Sequence, residues 1–169
     1  MRGKLLLALV IGAWVAGTPF MWMVATRNFQ VVERVLAEPP AGFEEAVRPL
    51  PPENVRAALR YQASTVNRLF FEGWGWTQLL LAAALVGLAW ASGQGTAFRT
   101  VAVVCALIAL FLQLYVVPET IRLGELMDFD RNAGDVAATF WRLHHTYTGL
   151  DLLKFFLLIG CGAVLVRKG

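Results

Sequence analysis

Four apolar stretches, each close to the length of a membrane crossing, constrain this chain more than any other feature. They are Leu5–Val24, Gly73–Ser92, Thr100–Pro118 and Tyr147–Val166. About 20 helical residues span the roughly 30 Å of a bilayer's hydrocarbon. A spanning segment must satisfy its own backbone polar groups, which a helix does. Composition agrees: 57% of the 169 residues are hydrophobic, 16% are charged, and the mean hydropathy is +0.57. Soluble domains run near 45–50% apolar and about 25% charged. A disordered chain, a disulfide-rich secreted domain and an ordinary cytosolic enzyme are thereby excluded. The first stretch starts like a signal peptide, with Arg2 and Lys4 ahead of an apolar centre. It continues through Pro19-Phe20-Met21-Trp22-Met23-Val24, longer than a cleaved core, and is read as a membrane anchor.

Charge placement orients the spans. Residues 1–4, 93–99 and 167–169 carry five basic residues (Arg2, Lys4, Arg99, Arg167, Lys168) and no acid. Residues 25–72 and 119–146 carry nine basic and eleven acidic residues. Short, purely basic flanks face the cytoplasm, so both termini are expected inside, as in a bacterial inner-membrane protein. Trp22, Trp74, Trp76, Tyr115 and Tyr147 fall at the outer ends of their spans, the depth Trp and Tyr favour. The net charge of +3 is scattered between apolar runs and forms no block of Lys and Arg, so no nucleic-acid partner is expected.

The outer segments are expected to be helical and continuous with the spans. Pro51-Pro52-Glu53 is a helix start, and Glu53–Ser92 reads as one long helix. The third helix is expected to continue past Pro118 to about Met127, and the fourth to begin near Asp135. Asn28–Leu36 is a further amphipathic segment, closed by Pro39-Pro40. The fold class is therefore all-α: residues 1–169 form one membrane domain, a four-transmembrane-helix bundle extended by helical segments at 25–72 and 119–146. Small residues at four-residue spacing, Ala8/Gly12/Ala16 and Ala83/Gly87/Ala91, are assigned to packing within the monomer, with a homodimer face as the alternative.

The fourth span carries the chemistry. Phe155–Val166 is too short to cross alone, so Asp151 and Lys154 lie at membrane depth in the outer leaflet. Ionisable groups there must face a partner or a wet cavity. At i,i+3 they share a helix face, and His144, Thr148 and Asp151 form a stripe at i, i+4 and i+7. Asn67, Arg68, Glu72 and Gln78 on the second helix, and Gln113, Glu119 and Arg122 on the third, offer polar groups at similar depth. Pro19 and Pro118 can bend their helices near the outer ends. A ligand site is accordingly sought at His144, Thr148, Asp151, Lys154, Glu72, Gln78 and Gln113, with interhelical anchoring as the competing role.

Neither a metal nor another cofactor is expected. The two histidines are adjacent on one helix, so one chain cannot supply a bis-His haem site. Haem ligation by His144 with Met127, and Cu(I) held by Met21, Met23, Met127 and His144, are weaker alternatives. Cys105 and Cys161 sit in apolar runs with no metal or redox spacing. No phosphate-binding glycine loop, GxSxG or HExxH occurs, so the chain is not expected to be an enzyme.

Phe140-x-x-Leu143-His144 ahead of the last span, with Tyr115-Val116-Val117-Pro118-Glu119 ending the third, resembles a family of small bacterial four-helix integral membrane proteins of unknown function. A more distant likeness is to copper-resistance membrane domains, carried by His144. The resemblance implies a four-helix membrane bundle and leaves activity open. The expected role is that of a non-enzymatic protein embedded in the lipid bilayer. It binds a membrane-protein partner or small ligand through an outward polar site, as an accessory subunit would. The alternatives are a small transporter or tolerance protein for a cation or metal, and a haem- or quinone-binding redox subunit. Orientation is directly testable. A membrane-impermeant maleimide added to intact cells is expected to label Glu44→Cys and to miss Thr96→Cys, and the opposite pattern would invert the topology.

Overall fold

Two prolines, Pro39 and Pro40, end the first long helical rod, and three more rods account for nearly all the remaining chain. The computed structural model describes residues 2–129 and 134–167. Helix α1 (Arg2–Ala37) absorbs the amphipathic Asn28–Leu36 segment without a break, despite Pro19. A short α2 (Phe43–Val47) precedes α3 (Pro52–Ala91), which starts with proline in its first turn, where no backbone N–H is needed. The chain reverses through Gly93, whose φ of 66° lies in the left-handed region that favours glycine. Helix α4 (Thr96–Phe111) passes through a π-helical turn at Leu112–Val116 into α5 (Val117–Met127). Helix α6 (Asp135–Arg167) completes the bundle. Among the described residues no strand occurs.

Four helical stretches are long and apolar enough to cross a membrane: α1, α3, the continuous rod Thr96–Met127, and α6. The protein is thus an all-helical, multi-pass membrane protein. Helix α1 packs against α3 and α6, and α4 packs against the same two. The four therefore run around the bundle in the order α1, α3, α4, α6. Leu7, Trp14, Leu85, Cys105 and Leu158 fill an inner core, and Leu112, Val116, Val117 and Tyr147 an outer one. The opposite faces are bare and apolar, as at Leu80, Leu107 and Phe156. Such faces suit lipid, because a bilayer solvates leucine as well as a protein core does.

The rotation of α1 and α3 about their own axes corrects one expectation. Ala8, Gly12, Ala16, Ala83, Gly87 and Ala91 all face away from the bundle. A Cβ added at Gly12 or Gly87 would meet no neighbouring atom within 4 Å. Helix α1 instead buries Leu7, Ile11, Trp14, Thr18 and Met21, a stripe of larger side chains at helical spacing. The close approaches fall at other glycines. The Trp74 ring lies on Gly17, and the Gln113 carboxamide lies on Gly75, where any Cβ would overlap it.

These contacts give opposite expectations for one chemical change. Gly75→Ala must expel a buried glutamine and should lower stability by about 1–3 kcal/mol, the usual cost of overpacking. Gly12→Ala should leave stability unchanged or raise it by up to ~1 kcal/mol, through helix propensity. Thermal unfolding of both variants in one mild detergent checks the pair, and an equal response would refute this packing.

Candidate functional site

In hydrocarbon a charged side chain has no water to stabilise it, so its protein partners decide where it can sit. Within the four apolar spans read from the sequence, Asp151 and Lys154 are the only charged residues. Helix α6 turns both inward. They are 1% and 0% exposed, and Lys154 Nζ lies 2.5 Å from Asp151 Oδ1. Lys154 also donates to Gln78 Oε1 on α3, which accepts a second bond from Trp14 Nε1 on α1 at 3.0 Å. Trp22 Nε1 donates to the other carboxylate oxygen, Asp151 Oδ2, at 2.9 Å. The ammonium stands 5.5 Å from the centre of the Trp14 ring, within cation–π range. The Tyr147 hydroxyl, one helical turn above Asp151, faces Gln78. Three helices thus converge on one ion pair. Both carboxylate oxygens are engaged, and the ammonium has two oxygens and a ring face.

Of the seven candidate residues from the sequence, the structure unites Asp151, Lys154 and Gln78. Gln113 is also buried, carried inward by the π-helical turn, and its Oε1 has no hydrogen-bond partner among the described residues. The turn has a local cause. Pro118 lacks an N–H, so the helix cannot run through it with a full ladder, and the Val117 N–H reaches back to the Leu112 carbonyl. His144, Thr148 and Glu72 are exposed and do not join the cluster. The Thr148 hydroxyl donates to the His144 carbonyl of its own helix, at 2.9 Å. His144 and His145 stand in a surface group with Phe140 and Trp141.

Trp14, Trp22 and Tyr147 are the members that sequence reasoning missed as polar partners. Trp22 and Tyr147 resemble interfacial anchors by depth alone, yet both point into the bundle. Trp14 carried a usable signal: it sits deep in its span, where an indole N–H needs an acceptor. Above the network, Asn67 accepts from Asn28 (2.5 Å) and donates to the Ala25 carbonyl (3.1 Å). Arg68 pairs with Asp128 at 2.7 Å, tying α3 to the end of α5. Glu33 binds Arg56 and Arg60, joining α1 to α3. Glu119 and Arg122 pair within α5.

Two surface grooves lie beside the network, and neither is lined by Asp151 or Lys154. One, of about 330 Å³, opens between α1 and α3 beside Gly17, Phe20, Met21, Gly73 and Trp74. The other is shallow and runs along α1 from Trp22 to Gln30. Among the described residues no group of three or more His, Cys, Asp or Glu side chains is placed to hold a metal ion. No protein-family model, curated protein or solved structure matches the chain.

The network can act chemically as a cross-brace. Removing one partner of a buried pair strands the other charge, at about 3–5 kcal/mol, whereas replacing both with apolar groups of similar size is often neutral. Asp151→Leu and Lys154→Met are therefore each expected to lower stability steeply. The double variant is expected to recover most of the loss in detergent melting curves. A double variant as unstable as the sum of the two would mean that the two charges are not coupled, and would refute the cross-brace.

Proposed function

We propose that this protein is a non-catalytic subunit of a bacterial inner-membrane assembly, and that it binds a partner membrane protein through its extracytoplasmic half. One observation carries the reading: large apolar side chains stand bare beyond the ends of the four apolar spans. Phe129 is 76% exposed, Leu126 53% and Trp141 51%, and the Tyr61 ring lies against Phe129 in a tilted contact with ring centres 5.3 Å apart. Tyr61 precedes the second span by about 18 Å of helix at 1.5 Å per residue, beyond the reach of lipid tails. Large apolar patches exposed to water mark interaction sites.

The closed network supports docking over a ligand pocket. Asp151 and Lys154 spend their hydrogen bonds on Gln78, Trp22 and each other, and neither surface groove opens onto them. Leu7, Leu85, Ala102 and Leu158 fill the inner half, where a transported cation would need polar groups. Both termini then lie in the cytoplasm, and the mixed-charge outer helices face the partner.

Photocrosslinking tests this in intact cells. A benzophenone side chain at position 129 or 141 is expected to give one discrete adduct with a different membrane protein, while the same probe at lipid-facing Leu80 gives none. Adducts only with a second copy of this chain would replace the proposal with a homodimer, and no adduct at either position would overturn it.

A further inference from the structure

The chain has two histidines, His144 and His145, and both lie on the outer stretch of α6 beside Trp141. The His144 ring is nearly parallel to that of Phe140, with centres 6.1 Å apart and planes 11° apart. Trp141 meets it edge-on at 5.6 Å, and the His145 ring lies 6.2 Å away. Trp141 also stands 6.2 Å from His145. Both imidazoles are exposed on the surface to which Trp141 belongs. A neutral imidazole is a flat ring that fits such a patch, whereas its protonated form is a cation with two N–H donors to hydrate. No other side chain, at its ordinary pKa, changes charge between pH 5 and 8.

Nothing around His144 favours the cation. Loss of water among the crowded rings, and then the charge of His145, hold its pKa below the ordinary imidazole value. The helices packed against α6 bring few charges to this level. Residues 100–116 of the third rod carry none. Helix α5 brings Glu125 and the Glu119–Arg122 pair, and α1 brings Arg27. On α6 itself, Arg142 donates to Thr139. Among the described residues, no carboxylate pairs with His144 to keep a proton on the ring.

We propose that acid releases the partner from this surface through protonation of His144. The inference rests on the docking reading above and adds its regulation. A partner that covers Trp141 takes further water from the imidazole beside it, which disfavours the cation more than in the free protein. Docking is then linked to loss of a proton. Above the free His144 pKa the ring is neutral in both states, and affinity does not vary with pH. As pH falls through that value a proton must leave before the partner can seat, and affinity drops by about tenfold per pH unit at most. The drop ends once the pH is below the pKa of the docked state.

Intact cells allow the test, because the external buffer sets the pH on the outer side. Cells with benzophenone at position 129 or 141 are irradiated at pH 7.5 and at pH 5.0. The yield of partner adduct is expected to be about 10-fold lower at pH 5.0, at both positions. His144→Phe keeps a flat ring but has no nitrogen to titrate, so its yields at the two pH values are expected to agree. His144→Lys carries a fixed charge, and its yield at pH 7.5 is expected to match the low wild-type yield at pH 5.0. An unchanged wild-type yield, a drop confined to position 141, or an equally steep drop in His144→Phe overturns the switch and leaves docking intact. Absence of any adduct at pH 7.5 overturns the docking reading and the switch with it.

Discussion

The ion pair of Asp151 with Lys154 sets the terms for the rest of the bundle. An unpaired charge in the hydrocarbon would cost several kcal/mol, so α6 can adopt only rotations that keep both groups away from lipid. Having turned them inward, it requires acceptors and donors from its neighbours. Gln78 on α3 and Trp14 and Trp22 on α1 supply them. The pair thus fixes the relative rotation of three helices at one level. Apolar packing alone would specify this weakly, since lipid competes with leucine on equal terms. Whether the pair adds net stability is a separate matter, because desolvation offsets much of the attraction. Its clearer contribution is to register.

Above that level a second set of contacts continues the same pattern. The Asn28–Asn67 bond, the Glu33 pairs and the Arg68–Asp128 pair hold the outer extension together where water replaces lipid. The Glu33 pairs are exposed and individually weak, whereas Asn67 and Arg68 are better shielded and contribute more. These contacts tie α1, α3 and the end of α5 together in the outer half. Below the pair, the core is apolar down to the basic inner rim. Charged and polar chemistry is thus confined to two ends, with an insulating layer between them.

Much of this was legible in the residues, and the parts that were not share a cause. The helix from Pro52 to Ala91, the run past Pro118 to Met127 and the start of α6 at Asp135 all follow from local signals: proline in a first turn, an unbroken apolar run, an acid at an N-terminus. The pairing of Asp151 with Lys154 also followed, because both lie on one helix three residues apart. The small-residue stripes were misassigned because spacing shows which residues share a face and says nothing about where that face points. The stripe of His144, Thr148 and Asp151 met the same limit. Asp151 faces inward while His144 and Thr148 stay exposed, since the two ends of a stripe drift around a helix whose buried arc is narrow.

By itself the sequence determined the four crossings, the helical extensions, the uneven charge of the two flanks and the single intramembrane ion pair. Each of these is a local or additive property: transfer energy summed over about 20 residues, a cap, a count of charges. Only the tertiary structure decided that Trp22 and Tyr147 turn inward, that Gln113 rides a π-helical turn onto Gly75, and that Gly12 and Gly87 face away from the bundle. Those outcomes depend on the rotation of each helix about its own axis. That rotation is set jointly by its neighbours, through groups that no single segment contains.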